Sequence, residues 1–145
     1  MLKREINYTD YDGNPRTETH YFNLTVNEVQ TLRPTDGSSN YSTALERLES
    51  EQDVPGLAEE ITRIILLAYG EKSEDGRIFR KSKELSDDFS QSAAFEQLYR
   101  ELQEDARVAN EFFMGILPKE AQNAILAQNA IPAQAPPPFP LTPRN

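Results

Sequence analysis

The stretch that most constrains this chain runs from Leu57 to Tyr69, LAEEITRIILLAY. Leu57, Ile61, Ile64, Ile65 and Ala68 recur at the spacing of one helix face. Leu66, Leu67 and Tyr69 widen that stripe until little polar face remains, while Glu59, Glu60, Thr62 and Arg63 are expected to keep the first turns wet on one side. The pattern predicts a helix buried over most of its circumference in its second half. Burial of its largest apolar side chains stabilises by roughly 10 kcal/mol gross, at about 1.5–3 kcal/mol each, more than any other segment offers. The run falls short of the ~20 apolar residues that a bilayer requires. Pro55 fits the first turn of this helix, and Gly70 reads as its left-handed stop. A chain of 145 residues has room for one domain around such a core.

Before the helix, Leu2 to Tyr8 and Arg16 to Leu24 alternate, with Leu2, Arg4, Ile6 and Tyr8 sharing one side, as do His20, Phe22 and Leu24. Thr, Tyr, Ile and Phe favour strands. Between the runs sits TDYDGNP, with Asp12-Gly13 as the turn and Pro15 expected to bar continuation, so the prediction is a β-hairpin. The same letters invite a calcium reading. Counted from Asp10, however, Pro15 falls where such a loop needs Gly, and Tyr21 where it needs Glu.

Thr25 and Glu28 have capping-box spacing, and Leu24 can staple onto Val29, so a short helix to Leu32 is expected, ended by Pro34. Arg33 to Asn40 reads as a polar loop. Thr43 and Glu46 repeat the capping spacing before a helix to about Glu51, with Tyr41, Leu45 and Leu48 as its weak apolar face. Past the core helix, Asp75-Gly76 marks a second turn-rich passage. Arg77, Arg80, Lys81 and Lys83 form a local basic cluster amid Glu71, Glu74, Asp75 and Glu84, which reads as a solvated mixed-charge surface. Ser82 can cap a helix carrying Leu85 and Phe89, and Ser90 or Ser92 can restart it. Phe95, Leu98, Tyr99 and Leu102 then mark a clean amphipathic helix. Asp105 caps one more, bearing Val108, Phe112, Phe113, Ile116 and Leu117 and ended by Pro118. Lys119 to Gln128 offers a thin last helix on Ala121 and Ile125. From Ile131 the composition changes to Pro132, Pro136, Pro137, Pro138, Pro140 and Pro143 with the single charge of Arg144. That composition predicts a polyproline-like disordered tail, with PxxP spacings that could also serve an aromatic groove. The expected fold is α+β and mostly α: one folded domain over 1–118 with an N-terminal β-hairpin and a small helical bundle, a short helix within 119–130, and a disordered Pro-rich tail over 131–145.

The chemistry is sparse. No Cys is present, which removes disulfide and thiolate chemistry and suits a reducing compartment. The start, MLKREINYTD, has no apolar h-region, so no signal peptide is expected. A net charge of -9 repels phosphate backbones and argues against nucleic acid. Glu59-Glu60 and Asp87-Asp88 are helix neighbours that point apart. HExxH, GxxxxGK, GxGxxG and GxSxG are all missing. His20, the one His, sits in a predicted strand and is a weak partner for any Ser–Asp pair. No catalytic residue, cofactor or metal site is expected. Phe112, Phe113 and Met114 place three bulky apolar groups in succession, more than one helix face can bury. They are the candidate partner-binding residues, with complete packing under a neighbouring element as the competing reading.

Three passages together carry a family likeness: the hairpin KREINYTDYDGNPRTETHYFNL leading into TVNEV, then ILLAYGEKSEDGRIFRKS, then FSQSAAFEQLYREL followed by an acidic cap and FFMGILP. Over Met1 to about Pro118 the chain resembles the tail assembly chaperones of tailed bacteriophages and prophages, encoded just before the tape-measure protein. The resemblance implies a non-catalytic binding protein of the bacterial host cytoplasm. Such proteins keep the tape-measure protein soluble, help the major tail (tube) protein polymerise around it, and are generally absent from the finished virion. It also implies a longer frameshifted form of the same chain as a partner, with no nucleic acid and no membrane, and leaves a homo-oligomer open. A structural virion component, such as a tail-completion or connector protein, and an intracellular adaptor working through its Pro-rich tail are the alternatives.

Overall fold

In the computed structural model, which describes residues 1–34, 37, 41–124 and 127, the N-terminal alternation becomes two strands. β1 (Leu2–Thr9) and β2 (Pro15–Phe22) pair antiparallel from Leu2↔Phe22 to Thr9↔Pro15. Asp10 organises the turn: its carboxylate accepts the backbone N–H of Asp12 and of Asn14, each at 2.9 Å, and the Arg16 guanidinium. Gly13 supplies the left-handed residue at φ +86°. Arg16 and these N–H groups hold the Asp10 carboxyl below the ordinary carboxylate range. Pro15 does not bar the strand, as the sequence suggested, but opens it. Counting from the Asp10 N–H bond to the Asn14 carbonyl, Thr9–Pro15 is a non-hydrogen-bonded pair, where the missing N–H costs nothing.

α1 (Val26–Thr31) starts at the expected capping box, with Glu28 N–H donating to Thr25 Oγ1 at 3.1 Å and Thr25 N–H donating to Glu28 Oε1 at 2.9 Å. α2 (Tyr41–Ser50) begins earlier than predicted, so Thr43 lies inside the helix instead of capping it. Packing of Ala44 and Leu48, both buried, governs this helix more than the Thr43 hydroxyl does. It closes with Gln52 N–H on the Glu49 carbonyl and Asp53 N–H on the Leu48 carbonyl, and Gln52 is left-handed at φ 57°.

α3 (Val54–Ala68) is the core helix, capped by Asp53 with Pro55 in its first turn. Two expectations fail on it. Glu60 is not on a wet face: it is 3 % exposed, and Arg63 reaches it at 3.4 Å while also donating to the Arg33 carbonyl at 2.9 Å. Gly70 is not a left-handed stop. The helix ends one residue sooner, at Tyr69, whose extended backbone (φ -68°, ψ 141°) starts β3 (Tyr69–Lys72). Gly70 is buried in that strand, and only glycine fits there, since a Cβ would stand 2.6 Å from the Arg80 carbonyl oxygen and 2.7 Å from the Phe79 ring. β3 pairs with β2 through Tyr21↔Gly70 and Phe22↔Tyr69, and with β4 (Phe79–Arg80) across the Asp75-Gly76 turn. The sheet is therefore four-stranded in the order β1-β2-β3-β4, twice what the predicted hairpin provided.

Three helices complete the described fold, each with the predicted side-chain cap: α4 (Lys83–Ser90) on Ser82, α5 (Ala93–Glu104) on Ser92 and α6 (Ala106–Ile116) on Asp105. Residues 119–124 are helical. The rest of the predicted last helix and the Pro-rich segment lie outside the described residues, as does part of the polar loop after Pro34. Ile6, Phe22 and Leu24 meet Ile64, Ile65 and Ala68, Phe89, Leu98 and Leu102, and Phe112 and Ile116 in one core. Its aromatic centre has Tyr69 stacked on Phe89 at 4.1 Å and Phe22 edge-on to Phe112 at 5.1 Å. The fold is α+β and mostly helical, with α4, α5 and α6 packed against an antiparallel sheet.

Candidate functional site

α3 carries more apolar surface than the core absorbs. Ile64, Ile65 and Ala68 are buried, whereas Leu66 and Leu67 remain half-buried. Two clefts open over them. One, of about 520 Å³, lies between α3 and the start of α4 and is lined by Leu66, Leu67, Arg63 and Ser86, together with Glu28 and Lys81. The other, of about 650 Å³, lies between α3 and α5 and is lined by Ala58, Thr62, Leu66, Phe95 and Tyr99. Arg63 and Leu66 line both, so the two clefts adjoin on α3 and together make up its groove.

Its walls are fixed by specific bonds. Ser86 Oγ donates to the Leu66 carbonyl at 2.9 Å and ties α4 to α3. Lys81 Nζ reaches Glu28 Oε1 at 2.7 Å and joins the segment before α4 to the cap of α1. Partial burial would raise the Glu28 carboxyl, but the Lys81 ammonium and the Thr25 N–H outweigh it and hold the group below its ordinary range. On the far wall Phe95 packs edge-on to Phe89 at 5.6 Å and Tyr99 lies 6.2 Å from Phe95. Apart from Glu59, the charges lining the groove are engaged with one another: Glu60 with Arg63, Glu28 with Lys81, Asp87 with Lys83 at 2.6 Å. What the groove offers a guest is apolar surface from Leu66, Leu67, Phe95 and Tyr99 inside a polar frame, the arrangement that accepts one face of an amphipathic helix.

The sequence placed these residues differently. Its pattern predicts Leu66 and Leu67 buried and puts Phe95 and Tyr99 in an apolar stripe of which only Leu98 and Leu102 are buried. The usable signal was the surplus: a helix apolar nearly all round, beside a second helix with aromatics at its margins. Of the α6 triplet, Phe112 is 1 % exposed in the core, while Phe113 and Met114 are half-buried, Phe113 edge-on to Phe112 at 5.5 Å. None of the three lines the groove. The basic cluster is the mixed-charge surface the sequence suggests: Arg77, Arg80 and Lys83 are exposed, Lys81 turns to Glu28 and Lys83 to Asp87 along α4.

His20 packs against the rings of Phe89 at 5.2 Å and Tyr69 at 6.0 Å. Its Nε2 is buried without a hydrogen bond, with Glu18 at 3.4 Å. Burial lowers its pKa despite that carboxylate, so the neutral ring is favoured and acts as a packing element under β2. Among the described residues no group of three His, Asp or Glu side chains could hold a metal, and no helix is long and apolar enough to cross a membrane.

No curated protein and no solved structure matches the chain. A family model described as phage tail assembly chaperone does match it, over residues 1–139, which takes in every strand and helix described above and both walls of the groove. The chain belongs to the phage tail assembly chaperone family.

Proposed function

We propose that this chaperone holds a helical segment of the tape-measure protein in the α3 groove, keeping that protein soluble in the host cytoplasm until the major tail (tube) protein polymerises around it. The observation that carries the reading is the line of half-buried apolar groups, Leu66, Leu67, Phe95 and Tyr99, on a chain of net charge -9. Apolar contact retains an aggregation-prone helix, and the surplus negative charge keeps the complex dissolved. Phe113 and Met114 are a second contact patch in this reading, with Phe112 supporting them from the core. The role is non-catalytic. A longer frameshifted form of the chain carries the same groove and serves as a partner in assembly.

Co-expression with the neighbouring tape-measure protein tests this. Wild-type chaperone should raise the soluble fraction of that protein. Leu66→Gln combined with Tyr99→Gln should lose most of the gain while far-UV circular dichroism stays as in the wild type. Purified virions should lack the chain by mass spectrometry. No gain from the wild type would sink the role, and full gain from a folded double variant would sink the groove.

A further inference from the structure

β1 is an outer strand of the sheet, paired to β2 alone. The bond from Asp10 N–H to the Asn14 carbonyl sets the phase of the ladder. By alternation the even-numbered residues of β1 bond β2, and the N–H and C=O groups of Lys3, Glu5 and Asn7 point to the other side. Among the described residues nothing hydrogen-bonds those groups. Lys3, Glu5, Asn7 and Thr9 are exposed, and α5 attends to the inner face, where Glu101 takes Arg4 at 2.7 Å. An open edge of this length is a template for another strand, and its side chains decide which strand fits.

The strand that fits is β1 itself. Laid antiparallel on a second copy about a two-fold axis through Arg4, the edge sets Lys3 opposite Glu5 of the second copy and Glu5 opposite Lys3 of the second copy. Both pairs fall at positions whose backbone groups face outward. Leu2 then opposes Ile6, and the two Arg4 side chains near the axis are each met by the Glu101 of their own chain. Moving the axis to residue 3 sets Lys3 against Lys3, and moving it to residue 5 sets Glu5 against Glu5. An axis through Ile6 matches neither charge. With a net charge of -9 opposing indiscriminate self-association, local complementarity selects the register. We infer that the chain dimerises edge to edge through β1, forming one continuous sheet whose register is set by reciprocal Lys3–Glu5 pairs.

Sedimentation equilibrium of the full chain tests the inference. The wild type should show a concentration-dependent dimer. Lys3→Glu and Glu5→Lys should each weaken it by roughly tenfold or more, because like charges then face each other twice across the strands. An equimolar mixture of the two variants should dimerise as the wild type does. The double exchange Lys3→Glu/Glu5→Lys, which keeps the net charge at -9, should restore the homodimer. Lys3 and Glu5 are exposed, so each variant should fold, which circular dichroism would check. A wild type that stays monomeric overturns the inference. So does a dimer indifferent to either single reversal, or a folded double exchange that stays monomeric.

Discussion

Gly70→Ala separates two accounts of why glycine follows the core helix. In a left-handed helix stop the penalty would come from backbone strain, and Asn, which tolerates that conformation, would be milder than Ala. The structure instead puts Gly70 in extended backbone with the Arg80 carbonyl oxygen 2.6 Å and the Phe79 ring 2.7 Å from any Cβ. The carbonyl belongs to the paired strand β4 and cannot retreat without opening the Glu71↔Arg80 register. Overpacking of this kind costs about 1–3 kcal/mol. For a domain of this size about 2 kcal/mol lowers Tm by roughly 8 °C. Asn adds bulk at the same point and should be worse than Ala. Thermal and urea unfolding of the three proteins would rank them Gly over Ala over Asn. If Asn proves more stable than Ala, or if Ala costs less than about 0.5 kcal/mol, the steric account is wrong.

Gln52→Gly should stabilise by about 0.5–1 kcal/mol, since Gln52 holds the left-handed position after α2 that glycine occupies at little cost; a lower Tm would contradict this. Glu28→Gln keeps a side chain that can close the capping box but loses the ion pair with Lys81, whereas Glu28→Ala loses both. Unfolding should therefore rank wild type over Gln over Ala, with Ala down by about 1–2 kcal/mol. His20 has a folded pKa depressed below its ordinary 6.5. Its contribution to stability is thus complete above the unfolded pKa and is lost as pH falls through the folded one. The stability difference between wild type and His20→Gln should narrow from about pH 7 to 5, and a constant difference would refute the burial argument.

Local chemistry was the legible part of this fold. Thr25, Ser82, Ser92 and Asp105 cap their helices through a hydroxyl or carboxylate on N–H groups two or three residues away, so spacing alone reveals them. The first hairpin was readable for the same reason, from alternation and an Asp-Gly turn. The second was not, because Phe79–Arg80 is too short to alternate and exists as a strand by pairing with Glu71 and Lys72. Glu60 reads as solvated because it sits among Glu59, Thr62 and Arg63, yet it is buried, under an Arg63 side chain that is also held by the distant Arg33 carbonyl. The groove was half visible. Excess apolarity on α3 was plain, but its walls come from α4 and α5, which only the tertiary arrangement sets beside it.

Tyr69 is at once the C-cap of α3 and the first residue of β3, with no linker between. Helix and strand are therefore joined without slack. A few intervening residues would absorb a tug on Leu66; without them it would reach Tyr69, whose ring stacks on Phe89 and whose backbone pairs with Phe22. In the proposed binding mode, a guest seated on the helix would therefore bear on the strand end as well.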